Sequence, residues 1–292
     1  MVIYVARDDL HCAPRTCTWA FDFFFFRFPC LVRSTTTMGL FALEEWAQAN
    51  ADYNNDTPPY WHAKIVPDLF TAVSGILWSV SYILMTLKGY QDHSYAMPIY
   101  CLCVNITWEF VFGFIYGPGL VNQIVFAQYM VVDVFLFHSI LKFGPNEWRA
   151  HPLVARNLHW IVGVGCAACM GLHLTLAKTF VPVIGRQVIF FTAWPMQHMI
   201  SLGCVAQVLS RGHDAGQSMA IWWTRFLGTV TAGCCFYWRI YFWPERFGYA
   251  WTPYGALLLV GSHVVDLAFP LALAYVRKHG EGRPEKVNGK AA

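Results

Sequence analysis

Long apolar runs alternate with short polar or helix-breaking segments through most of the chain. Seven runs are long enough to cross a hydrocarbon core of about 30 Å, which takes about 20 helical residues. They are Asp68–Leu87, Tyr95–Tyr116, Leu120–Leu141, Leu158–Phe180, Val188–Leu209, Met219–Phe242 and Tyr254–Val276. Backbone groups inside a bilayer must be paired within the chain, so these runs are predicted to be helices. The pattern predicts an all-α integral membrane protein, a bundle of seven transmembrane helices.

Glycine, proline and polar residues separate the runs and are predicted to end the helices. The breaking segments are Lys88-Gly89, Gly117-Pro118-Gly119, Phe143-Gly144-Pro145-Asn146, Pro182, Arg211-Gly212 and Pro244. Residues 58–277 form the predicted membrane domain, between an N-terminal extension with a lumenal segment (1–57) and a basic cytosolic tail (278–292). The extension contains Phe21–Val32, an apolar stretch too short to span. It is either a signal-like segment or part of a sequence that precedes a natural start at Met38.

Composition agrees with a membrane protein and indicates its orientation. The chain is 57% hydrophobic and 13% charged, against roughly 25% charged in ordinary globular chains. Lys88, Lys142 and Arg211 lie on the same side as the basic tail, which is richer in positive charge than the opposite side. This side is predicted to be cytosolic, with the N-terminus in the lumen, and the endoplasmic reticulum is the expected membrane. The sequence has no nucleic-acid motif, so no nucleic-acid partner is expected.

Three acids fall inside predicted spans: Glu109, Asp133 and Asp266. Ionisable residues at such depth are costly and usually face the interior of a bundle. Their depths allow all three to reach one cavity. A carboxyl group removed from water favours its neutral form and can act as a general acid. Aromatic faces beside it stabilise positive charge, so acids and aromatics together suit carbocation chemistry on an apolar substrate.

Aromatic and polar residues at helical spacing are candidates for the wall of this cavity. They are Trp78, Tyr82, Asn105, Trp108 and Trp223, with Asp133 as a further candidate for contact with substrate. A structural alternative pairs Asp133 with Arg225, which lies at a comparable depth. Spacing alone does not separate an enzyme from a proton-coupled transporter or receptor. The cysteines inside the spans, such as Cys166 and Cys169, are predicted to pack between helices, because no second pair completes a metal site.

Several short segments, in order, resemble the small membrane-bound terpene cyclases of fungal meroterpenoid and indole-diterpene pathways, such as those making pyripyropenes and paxilline. The segments are Asn105-Ile106-Thr107-Trp108-Glu109, the stretch from Leu153 to Ile161, Arg225-Phe226-Leu227-Gly228, Trp243-Pro244-Glu245 and the lone acid Asp266. The resemblance covers about residues 58–277. Tyr95-Ala96-Met97-Pro98 and Cys103-Val104 depart from the family's usual segments, which leaves the substrate's identity open.

The resemblance implies a cyclisation that needs no metal or other cofactor. Members of the family protonate the terminal epoxide (or alkene) of a prenyl chain carried by a polyketide, aromatic or indole head. Their two essential acids correspond to Glu109, the expected general acid, and Asp266, which is expected to assist it by positioning the proton or accepting it at the end. The expected substrate is a lipid-like molecule handed over by a membrane prenyltransferase and an epoxidase.

Overall fold

A computed structural model of the chain describes residues 61–117 and 120–280, all within one compact unit, Phe41–Ala292. These residues form helices joined by short turns, without a strand among them. The predicted N-terminal extension with its alternative start, the Pro118-Gly119 turn and the tail beyond Gly280 lie outside the described residues. The predicted all-α class is confirmed for the part that is described.

Long helices alternate with short ones along the described chain. They are α1 (Trp61–Asp92), α2 (Ile99–Phe110, continued by a π-helical turn over Val111–Ile115), α3 (Leu120–Glu147), α4 (Pro152–Arg156), α5 (Leu158–Ile184), α6 (Gln187–Arg211), α7 (Met219–Phe242), α8 (Pro244–Phe247, followed by a 3₁₀ turn over Gly248–Trp251), α9 (Pro253–Asp266) and α10 (Ala268–His279).

Five stretches of helix are long and apolar enough to cross a membrane. They are Ile65–Asp92, Gln123–Glu147, Leu158–Ile184, Gln187–Arg211 and Pro253–His279. Two of the seven predicted spans are not among them. Ile99–Ile115 is apolar but shorter, and α7 contains Arg225 and Arg239, which lower its mean hydropathy. Length and composition therefore make five of the predicted spans candidates for crossing a membrane, and the number seven stays a prediction.

Some predicted helix ends are correct and others are wrong. Gly212 ends α6 in a left-handed conformation with φ 66°, as expected for a residue without a Cβ. However, α1 continues past Gly89, α5 continues past Pro182, and α3 continues through Pro145. A proline so near a C-terminus removes only one bond of the helix ladder. At the end of α3, a hydrogen bond of 2.6 Å from Ser94 Oγ to Glu147 Oε1 ties the last turn to a neighbouring segment.

The seventh predicted span is interrupted at Leu267, between α9 and α10. Pro270 has no N–H, so it cannot donate to the carbonyl of Asp266 as the helix pattern requires. Trp222 on α7 donates its indole Nε1–H to this carbonyl at 2.9 Å instead. The break therefore leaves an acceptor that a neighbouring helix satisfies, and it fixes Asp266 against α7.

The antiparallel helices α1 and α7 pack closely and form two walls of the interior. Ser81 Oγ donates to the carbonyl of Ile221 at 3.3 Å, and Ser74 Oγ to that of Gly228 at 2.8 Å. A Cβ added to Gly228 would lie 2.7 Å from Trp78 Cδ1. A small residue is therefore needed here for the backbones to approach, as is usual between membrane helices, and this approach holds Trp78 in place.

Candidate active site

A cavity of about 300 Å³ lies among α1, α2, α3, α6 and α7. It is lined mainly by apolar and aromatic side chains with a few polar groups, as small-molecule sites usually are. The aromatic and polar lining residues are Thr71, Ser74, Trp78, Tyr82, Asn105, Trp108, Glu109, Phe126, Tyr129, Phe190, Trp194, Gln197, Thr229, Phe236 and Arg239. The helical spacing along α1 and α2 thus brings Trp78, Tyr82, Asn105, Trp108 and Glu109 to one cavity.

Glu109 lies in the cavity wall and is tied to Asp133 through the side-chain amide of Asn105. Nδ2 of Asn105 is 2.9 Å from Glu109 Oε1, 3.1 Å from Asp133 Oδ2 and 2.8 Å from the hydroxyl of Tyr82. The Tyr82 hydroxyl also donates to Glu109 Oε1 at 3.4 Å. Asp133 is fully buried and is not itself among the lining residues. One amide and one phenol thus hold two carboxyl groups together.

The two carboxyl groups cannot both be charged without a large cost. Glu109 is 2% exposed and Asp133 0%, and an uncompensated buried charge costs several kcal/mol or more. The two carboxyl groups also lie close to each other, because Asn105 Nδ2 is within 3.1 Å of an oxygen of each. Within the described residues, Glu109 Oε2 and Asp133 Oδ1 have no hydrogen-bond partner. The arrangement suits a pair that holds one proton next to an apolar cavity.

The third acid, Asp266, lies outside the cavity wall. Its Oδ1 is 2.5 Å from Nη2 of Arg225, and both side chains are buried. Arg225 also donates from Nη1 to the Cys204 sulfur at 2.8 Å. The alternative that pairs Asp133 with Arg225 is therefore wrong, because Arg225 reaches the acid of α9 instead. The expectation that all three acids reach one cavity is corrected: Glu109 lines it, Asp133 contacts the cluster around Glu109, and Asp266 forms a separate ion pair.

The two neighbouring tryptophans of α7 face different surroundings. Trp222 is buried and bonded to Asp266, whereas Trp223 is 49% exposed on the outside of the helices. This placement corrects the expectation that Trp223 lines the pocket. By contrast, Trp108 lies in the wall, and its indole Nε1 donates to Thr192 Oγ1 at 2.9 Å, so its ring is held in a defined orientation.

Several residues that line the cavity were not predicted from the sequence. Phe126 and Tyr129 on α3 make edge-to-face contacts with each other and with Trp108 and Tyr82. Phe126 and Tyr129 lie at helical spacing. However, α3 is apolar on every side, so no stripe of polar residues distinguished its inner face in the sequence. Arg239 on α7 also lines the cavity, although its sequence position predicts only a location near a helix end. The sequence did contain a signal for this face of α7. Its lining residues recur at three-residue spacing, as in Thr229, Ala232 and Cys235 and in Phe236 and Arg239.

Between residues 61 and 280, leaving out 118 and 119, no three His, Cys, Asp or Glu side chains are grouped so that they could hold a metal ion. Cys103 packs with its sulfur 3.7 Å from the carbonyl of Val162.

Comparison with known proteins identifies the family. A family model described as Pyr4-like transmembrane terpene cyclases matches residues 51–279, which include every residue of the cavity. The chain belongs to this family. The predicted enzyme class, a terpene cyclase of an integral membrane family, is confirmed. The alternative of a proton-coupled transporter or receptor finds no support in these matches.

Individual relatives agree with this assignment. Terpene cyclase macJ of Penicillium terrestre is 59% identical over 254 residues, covering 87% of this chain and 98% of the relative. Terpene cyclase pyr4 of Aspergillus fumigatus is 34% identical over 227 residues, covering 77% and 90%. Terpene cyclase atmB of Aspergillus flavus is 31% identical over 221 residues, covering 75% and 90%. No solved structure matches the chain significantly.

Proposed function

We propose that the chain cyclises a prenylated polyketide, aromatic or indole substrate by protonating the terminal epoxide (or alkene) of its prenyl chain, with Glu109 as the general acid. The observation that carries this proposal is the position of Glu109. It is the carboxyl group in the wall of an aromatic cavity, its Oε2 has no partner among the described residues, and a second carboxyl lies beside it.

The reaction is an isomerisation in which the proton is returned. The proton of Glu109 moves to the epoxide oxygen, one C–O bond breaks with its electrons going to oxygen, and a hydroxyl and a tertiary cation result. The double bonds of the chain then attack in sequence, each forming a C–C bond and passing the cation onward. Loss of a proton from the last cation restores neutrality and leaves a product of the same mass. Trp78, Trp108 and Tyr129 present rings that stabilise the migrating charge.

The neighbours of Glu109 have different proposed roles. Asp133 stores the returning proton, and Asn105 and Tyr82 hold the two carboxyl groups in register. Asp266 assists as a positioning residue: its pairing with Arg225 and the bond from Trp222 to its carbonyl fix α9 against α7, and α7 supplies a wall of the cavity. In this role Asp266 is needed for activity although it does not touch the substrate.

The same proposal includes the membrane arrangement. With Ile99–Ile115 and Met219–Phe242 added to the five longer stretches, the bundle has seven spans, with the N-terminus lumenal and the C-terminus cytosolic in the endoplasmic reticulum. The shorter second span is compatible with a bilayer that adapts by a few ångströms. The lipid-like substrate reaches the cavity from the membrane after a prenyltransferase and an epoxidase have made it.

The experiment that tests this function is an assay of microsomes with EDTA present. The substrates are farnesyl- and geranylgeranyl-substituted phenols, pyranones and indoles, each with a terminal epoxide or alkene. We expect an isomeric product of equal mass, reduced about 10²- to 10⁴-fold by Glu109→Gln, the usual contribution of a general acid. Near-full turnover by a folded Glu109→Gln enzyme, or activity that EDTA abolishes, would contradict the proposal.

A further inference from the structure

Gln197 on α6 is an amide in the cavity wall, and the proposed reaction gives it no role. The residue is 8% exposed and lines the cavity. Its Nε2 donates to Ser201 Oγ, one turn farther along the helix, at 3.2 Å, and this bond turns the amide oxygen Oε1 away from Ser201. Within the described residues Oε1 has no hydrogen-bond partner, and it is not enclosed by protein atoms. The oxygen is therefore available to a molecule that occupies the cavity.

The hydroxyl groups of the same wall are engaged differently. Three of them donate to backbone carbonyls at 2.8 to 3.0 Å, namely Thr71 to Pro67, Ser74 to Gly228 and Thr229 to Arg225. Their protons are thus directed to the backbone and serve the packing of the helices. A carbonyl oxygen of an amide is also a stronger acceptor than a hydroxyl oxygen. Gln197 is therefore better suited than these hydroxyls to receive a proton from a bound molecule.

The amide of Gln197 is offset from the initiating acid along the axis of the bundle. Helices α2 and α6 run side by side in opposite directions, because Trp108 contacts Thr192 and, farther along, Cys101 contacts the carbonyl of Met199. Gln197 follows Thr192 by five residues, about 7.5 Å of helix. The initiating acid follows Trp108 on α2 and so lies on the other side of the Thr192 contact. The acid and the amide oxygen thus meet different parts of one bound molecule.

The proposed reaction ends at a different place from where it begins. Protonation creates the first cation beside Glu109, and each new C–C bond moves the charge along the chain. Asp133, which is proposed to store the returning proton, is not among the lining residues, so another group must receive that proton first. Trp194 lies one turn before Gln197 and also lines the cavity. Its ring stabilises a cation held next to the amide.

We infer that Gln197 Oε1 accepts the proton that the last cation loses, and that it thereby selects which carbon–carbon double bond the product carries. The C–H bond next to the cationic carbon breaks, its electron pair forms the C=C bond, and the proton moves to the amide oxygen. A protonated amide is strongly acidic, so the proton then passes through water in the cavity to Glu109 and Asp133, which restores the pair. Before this transfer the negative end of the amide dipole stabilises the cation. This inference rests on the proposed function and adds the acceptor of its final step.

The test follows the position of the new double bond separately from the rate. The substrate carries deuterium at the carbon from which the wild-type enzyme removes a proton. Gln197→Met replaces the amide by an unbranched side chain of similar length that has no oxygen. Substrate consumption should stay near the wild-type rate, because Glu109 still starts the reaction. Selectivity for the wild-type double bond should fall about 10-fold, the effect of losing one hydrogen-bonding contact, with isomers that have the same rings and retain deuterium. Mass spectrometry and NMR of the products measure both changes.

Two further variants and one control accompany this exchange. Gln197→Glu supplies an acceptor oxygen again and should restore the wild-type double bond, with loss of deuterium. If Gln197→Met does not fold, Ser201→Ala removes the bond that orients the amide and should move the double bond in the same way to a smaller extent. Met199→Leu, exposed on the same helix and outside the cavity wall, should leave the products unchanged.

The outcomes separate this inference from the proposed function. A folded Gln197→Met enzyme that makes the wild-type product with full loss of deuterium would overturn the inference, and an inactive Glu109→Gln enzyme in the same assay would leave the proposed function standing. Altered ring skeletons that Gln197→Glu does not correct would also overturn it, because the side chain would then only shape the cavity. A moved double bond in Gln197→Met, together with full turnover by Glu109→Gln, would uphold the acceptor and contradict the proposed acid.

Discussion

Arg225 donates from Nη2 to Asp266 Oδ1 at 2.5 Å, with both side chains buried beside the interruption of the last span. The pair joins α7, which contributes to the cavity wall, to α9, which does not. An acid in this position is locked to a permanent cation, a poor arrangement for a group that must release a proton to substrate. The geometry instead suits a residue that holds two helices together.

Asp266→Asn alone should therefore damage the enzyme through its fold. It leaves the Arg225 charge buried without a counter-ion, at a cost of about 3–5 kcal/mol. The double variant Arg225→Met/Asp266→Leu removes both charges and should regain most of that stability, measured as thermal unfolding in detergent. In the double variant we expect turnover to recover together with stability. Any remaining loss of activity should appear as a lower kcat, with KM unchanged. A stable double variant without any turnover would show that the carboxyl of Asp266 takes part in the chemistry itself.

Asp133→Asn should lower turnover and leave binding intact. The exchange keeps the shape and the contact with Asn105 but removes the group proposed to store the proton. We expect kcat to fall about 10²-fold, the lower end for a group in acid–base catalysis, with substrate affinity unchanged by fluorescence titration. Ser139→Ala is the matched control, because Ser139 is buried on the same helix and bonds only within it, to the carbonyl of Leu136. Equal losses in the two variants would contradict this role.

How much of this site the sequence predicts can be seen from the three acids. Their burial follows from composition, because a carboxyl inside an apolar span must face the bundle. Their partners do not follow, since a small rotation of one helix decides whether Arg225 meets Asp133 or Asp266. Spacing likewise brought Trp78 and Glu109 to one cavity but misplaced Trp223, which lies one residue from the inward-facing Trp222. Helix ends failed at Gly144-Pro145 because contacts from Ser94 to the last turn outweigh the local preference of proline.

Trp78→Leu and Trp223→Leu form a matched pair of variants. Trp78 lines the cavity, whereas Trp223 is half exposed on the outside. Loss of a cation–π contact worth about 0.5–2 kcal/mol should slow turnover by Trp78→Leu about 2- to 30-fold. It should also release partly cyclised isomers, since cations would lose protons early. Chromatographic separation of the equal-mass products measures both effects. Trp223→Leu should match the wild type, and altered products from it would place that ring in the path of the substrate.

Glu147→Gln should destabilise the end of the bundle opposite Arg239. Glu147 accepts from Ser94 at 2.6 Å and lies 3.4 Å from Arg211 Nε and 3.3 Å from His213 Nε2. Loss of the charge weakens these contacts, so the free energy of unfolding should fall by about 1.5–3 kcal/mol, the worth of a hydrogen bond to a charged group. Thermal unfolding in detergent measures it. Glu245→Gln, an exposed control, should have no measurable effect on stability.

Trp222 on α7 and Pro270 on α10 affect the same backbone carbonyl, that of Asp266. Proline leaves the carbonyl of Asp266 without its donor, and tryptophan supplies one at 2.9 Å. Neither residue is favourable without the other: the proline alone would strand an acceptor, and the indole alone would strand a donor. Selection should therefore act on them jointly. Across homologues, positions 222 and 270 are expected to covary. Where a residue other than tryptophan occupies position 222, the last helix is expected to be uninterrupted.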